Sequence, residues 1–214
     1  MSKYKAVIFD FGGVFTTSPL ERFAEYELAN KLPQQFLGEV IKTNHHNNSW
    51  AKYERSEITQ EQFNVEFAAE TRSAGHGVMG DALISLLVLE MKPAMIDAHK
   101  RIKARGFKTG CITNNLPKMD STEMLGCSQQ SAMAREAMKA CDKVIESSKV
   151  GIRKPEPEIY QLMCEELDVL PSDCIFLDDL GINLKPARKL GMTTIKVPLG
   201  DVTPAIDELL ELLD

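Results

Sequence analysis

Long apolar runs are missing from this chain of 214 residues. Stretches such as residues 84–89 fall far short of the ~18 consecutive apolar residues that a membrane span needs. The N-terminal apolar run, residues 6–9, is too short for a signal-peptide core and ends in Asp10 without a small-residue cleavage pattern. Basic residues are in deficit, 25 against 31 acidic for a net charge of −6, and no basic stripe exists to neutralise nucleic-acid phosphates. Cysteines are few and odd in number, five (Cys111, Cys127, Cys141, Cys164, Cys174), with no CxxC pair. That excludes a disulfide framework and a zinc-ribbon site, and predicts reduced thiols in a cytoplasmic compartment. There is no internal repeat and no linker rich in Pro, Gly or Ser. The remainder, 43% hydrophobic and 26% charged, is an ordinary globular composition. A chain of this size can bury about 70% of its unfolded surface without disulfides or metal.

Short apolar runs alternate with helical patterns, which predicts an α/β fold, a Rossmann-like parallel sheet sandwiched by helices. Strands are expected at residues 6–9, 107–112, 143–146, 174–177 and 193–197. Helices are expected at residues 94–105, closed by Gly106, from Pro157 onward, at 184–190, closed by Gly191, and at 204–213. A parallel crossover needs a dozen or more residues, yet Asp10 and Phe107 stand almost a hundred apart. The surplus carries helical patterns at residues 20–30, 34–42, 60–71 and 81–90, with Phe63 and Phe67 one turn apart. An all-helical module, residues 18–90, is therefore expected as an insertion into a core formed by residues 1–17 and 91–214.

Ligands of open parallel sheets bind beyond the carboxyl ends of the strands. The polar residues that follow the expected strands are Asp10 with Gly12 and Gly13, Thr113-Asn114-Asn115, Lys154, and Asp178-Asp179 with Asn183. Each alone has a bland explanation as a turn, a helix cap or a solvated lysine. Together, at four strand ends, they suit phosphoryl transfer through an aspartyl intermediate. A carboxylate attacks phosphorus, a hard cation such as Mg²⁺ offsets repulsion between anions, and a hydroxyl, an amide and an ammonium bind the remaining oxygens.

Four segments carry a family resemblance: Phe9-Asp10-Phe11-Gly12-Gly13-Val14, Ile112-Thr113-Asn114-Asn115, Gly151 to Pro157, and Phe176-Leu177-Asp178-Asp179. In this order they resemble the haloacid dehalogenase superfamily over nearly the whole chain. The stretch FLDDLGINLKPARKLGM and the run Lys154-Pro155-Glu156-Pro157 are similar to one branch. That branch holds the phosphatase domain preceding soluble epoxide hydrolase and the domain fused to an acyl-CoA dehydrogenase. The resemblance implies that the insertion is a cap that selects substrate, here a small phosphorylated metabolite, lipid phosphates included. It implies Asp10 as nucleophile and Mg²⁺ ligand, with the Gly12 carbonyl and Asp179 as further ligands and Asp178 in support. Thr113 and Asn114 would bind the phosphoryl group, Lys154 would neutralise it and orient Asp10, and Asn183 would be an outer contact.

Gly12 departs from the family's phosphatases, which carry an acid there to protonate the leaving oxygen. General acid catalysis contributes about 10²–10⁴-fold, so the departure predicts a reduced rate. The alternative is a catalytically degenerate domain that binds phosphorylated ligands or partners without turnover. His45, His46 and His76 are replacement candidates by chemistry, although solvated loop histidines are the simpler reading. Trp50 with Glu54 and Glu57 reads as a core aromatic beside a solvated acidic face. A receiver domain also uses Asp, Thr and Lys at strand ends, but places its acidic pair after the first strand.

Overall fold

The computed structural model describes residues 2–87, 89–117 and 128–214; Cys127 lies outside them. Its centre is strand β1 (Ala6–Phe9), four residues that are all fully buried. Burial on both faces explains the unbroken apolar run, since a parallel strand covered by helices on each side has no solvent face. Around it stand β2 (Lys108–Thr113), β3 (Lys143–Glu146), β4 (Cys174–Asp178) and β5 (Thr193–Lys196). They form one parallel sheet in the order β3-β2-β1-β4-β5.

Side chains alternate across the sheet as the strand period requires. Val7 and Phe9 enter the layer beneath α6 (Pro93–Ala104) and α11 (Thr203–Leu213). Ala6 and Ile8 enter the opposite layer, beneath α9 (Pro157–Leu167) and α10 (Gly181–Lys189). Two further helices complete the core, α7 (Ser128–Ala140) and the single turn α8 (Ser147–Val150).

Between β1 and α6 stand α1 (Pro19–Ala29), α2 (Phe36–Lys42), α3 (Ser49–Glu54), α4 (Gln60–Ser73) and α5 (Gly80–Ser85). They share an apolar centre of their own, where Tyr53 stacks on Phe63 at 4.8 Å and Phe63 meets Phe67 at 5.4 Å. Phe63 and Phe67 are fully buried, as their spacing predicts. The connecting segments run side by side: Thr16 bridges Met91, Thr17 N–H donates to Glu90 O at 2.8 Å, and Lys92 N–H donates to Phe15 O at 2.7 Å.

Three expectations change. Helix α5 stops at Ser85, well before residue 90, because Leu89 and Met91 are drawn into the sheet-side core and the Met91 backbone bridges Thr16. Helix α10 starts at Gly181, three residues early, with Pro186 accommodated inside it. Helices α3, α7 and α8 are additional. Among the described residues, no helix is long and apolar enough to cross a membrane, and Cys111, Cys141, Cys164 and Cys174 are buried free thiols.

Candidate active site

Strand ends bring the polar residues together. Asp10 follows β1 directly, and its backbone N–H donates to Leu177 O at 2.9 Å, extending the ladder by one residue. Its Oδ1 accepts from the Phe11 backbone N–H at 2.6 Å and lies 2.6 Å from Lys154 Nζ. The same ammonium is 2.8 Å from Asp178 Oδ2. Both Asp178 oxygens accept from Asn183 Nδ2 at 3.0 Å, and Oδ1 also accepts from the Leu180 backbone N–H at 2.8 Å. Asn183 thus stands behind Asp178 rather than against Asp10.

Lys154 is only 1% exposed. Burial works to lower its pKa, but Asp10 and Asp178 outweigh it and hold the ammonium above its ordinary range. Asp10 is shifted the other way: burial, with Asp178 and Asp179 adding, raises its carboxyl well above the usual range against the pull of Lys154. Burial and the neighbouring Asp178 push Asp179 up to about 6, opposed by Ser18 and Lys154. Among the described residues, one buried cation therefore faces three carboxylates, an unfavourable balance unless further positive charge is supplied.

The carboxylates have the geometry to receive it. Ligand atoms of Asp10, Asp178 and Asp179 lie within 4.8 Å of one another. Gly13 leaves room for this arrangement: its φ is +78°, and a Cβ there would stand 2.2 Å from Asp179 Oδ2. Ser18, at the start of α1, donates to the same oxygen at 2.9 Å. Nothing in the sequence pattern singles out Ser18. By contrast, a Cβ on Gly12 would meet only Pro19 Cδ at 4.0 Å, so that position has space for a side chain. The residues fit a hard, oxygen-liganded cation such as Mg²⁺.

Thr113 ends β2 and is buried. The side chain of Asn114 is turned to the loop that carries Lys154: Nδ2 donates to Lys154 O at 2.9 Å, and Oδ1 accepts from the Lys154 backbone N–H at 2.9 Å. Asn114 thus fixes the position of the lysine as well as standing at the strand end.

The inserted helices add a residue that the sequence reading places in solvent. Glu54, the last residue of α3, is buried, and its Oε2 lies 2.5 Å from Arg153 Nε and 3.4 Å from Asn114 Nδ2. Its carboxyl is raised by burial, with Arg153 and Lys154 opposing. The solvated acidic face is therefore corrected for Glu54 and holds for Glu57, which is exposed and pairs with Arg55 at 2.7 Å. Trp50 packs edge-on against Phe63 at 5.9 Å. His45 meets His46 with the rings tilted and 4.0 Å apart, and its backbone carbonyl accepts from Arg153, while His76 packs edge-on against Phe36 at 5.1 Å.

Known proteins share this architecture and these sequence segments. The haloacid dehalogenase-like hydrolase family pattern matches residues 4–191. Acyl-CoA dehydrogenase family member 10 of Mus musculus is 36% identical over 98% of this chain and 19% of its own length. Bifunctional epoxide hydrolase 2 of Sus scrofa is 33% identical over 96% of this chain and 38% of its own length. This chain thus spans well under half of either relative. A Bacteroides thetaiotaomicron HAD family enzyme, solved in complex with magnesium and inorganic phosphate, superposes with a TM-score of 0.60. The match is 19% identical and covers 95% of this chain and 98% of that one. With a family match over most of its length, this chain belongs to the haloacid dehalogenase-like hydrolases.

Proposed function

We propose that the chain is a Mg²⁺-dependent phosphatase of a small phosphorylated metabolite, working through a phosphoaspartyl intermediate on Asp10. The observation that carries this reading is the excess of negative charge: three carboxylates around one buried lysine, with ligand atoms inside 4.8 Å. Displacement at a neutral carbon–halogen bond gains little from such a cluster. A phosphoryl group needs a cation beside it, because both nucleophile and substrate are anions. The magnesium and phosphate in the Bacteroides relative support the same assignment.

Asp10, Asp179 and the Gly12 backbone carbonyl would hold Mg²⁺, which when bound supplies charge neutralisation at the phosphoryl oxygens. The protein's own groups do the rest. Asp10 attacks phosphorus with one carboxylate oxygen, forming the P–O bond to the enzyme as the bond to the leaving oxygen breaks. Lys154 holds Asp10 in place at 2.6 Å and balances the charge that accumulates. The Thr113 hydroxyl and the Asn114 backbone N–H receive the phosphoryl oxygens at the end of β2, and Asp178, fixed by Asn183, keeps Lys154 aimed at Asp10. Water then attacks the phosphoaspartate, releasing inorganic phosphate and restoring Asp10.

A domain that binds phosphorylated ligands without turnover is the second reading, favoured by the missing side chain at Gly12. Phosphate release from aryl, acyl, sugar and lipid phosphates, with Mg²⁺ and with a chelator, separates the two. Turnover that requires Mg²⁺ and disappears in Asp10→Asn is the expected result. Turnover retained in that variant refutes the nucleophile assignment, and absence of turnover on every ester favours the binding role.

A further inference from the structure

Lys154 has to meet Asp10 and Asp178 at once, and its buried ammonium does so at 2.6 and 2.8 Å. A flexible four-carbon stem holds such a position only from a fixed backbone. The Asn114 side chain fixes it, pairing with the Lys154 N–H and C=O together, each at 2.9 Å. That pairing works in one sense only, because Oδ1 must face the N–H and Nδ2 the carbonyl. What sets the sense lies outside the sheet.

Glu54 is buried at the end of α3, and three donors converge on its carboxylate. They are Arg153 Nε at 2.5 Å, Asn114 Nδ2 at 3.4 Å and Trp50 of its own helix. An ionised carboxylate only accepts, so it draws Nδ2 toward itself and leaves Oδ1 for the Lys154 N–H. The backbone and the residues just beyond α3 repeat the attachment with other atoms. Glu54 O accepts from Ser147 Oγ at 2.8 Å, and that hydroxyl oxygen accepts from the Asn115 backbone N–H at 3.0 Å. Arg55 Nη1 lies 3.1 Å from Glu156 Oε1, and Glu156 Oε2 accepts from the Arg153 backbone N–H at 3.3 Å. Ser56 Oγ donates to Ser148 O at 2.7 Å. Residues 54–56 of the insertion therefore grip the chain both before and after Lys154.

We propose that Glu54 is a positioning residue for Lys154: the inserted helices seat the buried lysine by orienting Asn114 and anchoring Arg153. Glu54 acts through those two residues, with no proton transfer and no contact to the reacting atoms. Docking of the inserted helices and placement of the cation beside Asp10 are then a single event. For its catalytic consequence this rests on the phosphatase reading above.

Amide hydrogen exchange of the full chain, without substrate, tests the placement directly. Glutamine offers one acceptor oxygen to three converging donors. Glu54→Gln is expected to speed exchange at the Lys154 N–H by about tenfold or more, the range of a hydrogen bond to a charged group. The Gly191 N–H, held by Arg188 O at a remote helix end, is expected to stay unchanged, since a general loss of stability does not alter local openings. In Asn114→Ala, where the pairing is already gone, adding Glu54→Gln is expected to change Lys154 exchange by less than about threefold. Turnover gives the second readout. A shift of about 1 Å at a reacting group lowers rate by about 10²-fold, so Glu54→Gln is expected to lower kcat by that order, equally on glycerol phosphate and 4-nitrophenyl phosphate. KM should stay within about threefold of wild type. Should Glu54→Gln fail to fold with Arg153 unpaired, adding Arg153→Met removes both buried charges together, and the same local change at Lys154 is expected. Unchanged exchange at Lys154, or equal acceleration at Gly191, overturns the proposal. Faster exchange at Lys154 with kcat intact also overturns it, while the phosphatase reading stands. A wild type inactive on both esters overturns that reading instead, and the exchange rates still decide whether Glu54 seats Lys154.

Discussion

Replacing Lys154 with methionine removes the one buried cation that touches Asp10 among the described residues, and the structure sets the size of the effect. The ammonium is 1% exposed and lies 2.6 Å from Asp10 and 2.8 Å from Asp178. Removing one partner of a buried ion pair costs about 3–5 kcal/mol, because the other charge stays buried without compensation. The two acids do not suffer equally. Asp178 retains three donated hydrogen bonds, two from Asn183 and one from Leu180, whereas Asp10 Oδ1 retains the Phe11 N–H. Most of the loss therefore falls on Asp10, and Asp10→Asn in the same chain is expected to recover about 2 kcal/mol or more of it. Urea unfolding of the wild type, both single variants and the double variant in chelator completes the cycle. Repeating it in millimolar Mg²⁺ is expected to stabilise Lys154→Met more than the double variant, since the cation then has a full carboxylate to neutralise. A Lys154→Met protein within about 1 kcal/mol of wild type, or a double variant no more stable than Lys154→Met, would refute this account of the site's charge balance.

Two further outcomes follow from neighbouring features. Gly13→Ala forces a Cβ to 2.2 Å from Asp179 Oδ2 at a φ of +78°; titration calorimetry should show Mg²⁺ affinity reduced by at least about tenfold, with stability lowered by about 1–2 kcal/mol from the left-handed backbone. His99, 1% exposed and packed edge-on against Phe9 and Phe15, is lowered to about 4 by burial, with Lys103 adding. The unfolded imidazole takes its proton near 6.5, so His99 favours folding fully above that pH and loses its contribution as pH falls toward 4. The loss is about 3 kcal/mol, and His99→Leu should flatten the stability profile by that amount across this window; parallel profiles would contradict it.

The sheet was legible because β1 and β4 are short apolar runs cut off by a polar residue, and burial on both faces demands that pattern. Asp10, Lys154, Asp178 and Asn183 were legible for the same reason, since topology alone carries strand ends to one edge. Glu54 was not. Its burial depends on Arg153, almost a hundred residues further on, and in sequence it sits among Lys52, Arg55 and Glu57 like any surface carboxylate. Helix α3 is six residues long, less than two turns, too short for an apolar period to declare itself. Helix α7 is rich in Ala, Gln and Met, whose helix propensity is a weak signal without a capping or strand-end motif beside it. Ser18 looks like any helix-capping serine; only the folded chain turns it toward Asp179.

The central position of β1 bears on where this protein can vary. Its amides are paired with neighbours on both sides, and the Asp10 N–H continues the ladder to Leu177. Such hydrogens exchange with solvent only when the whole molecule opens. On the phosphatase reading proposed above, Asp10 is thus tied to the most slowly exchanging part of the chain, with no slack to follow an ill-fitting substrate. On that same reading, adaptation to new substrates would fall instead to α1–α5, none of which contributes a strand to the sheet.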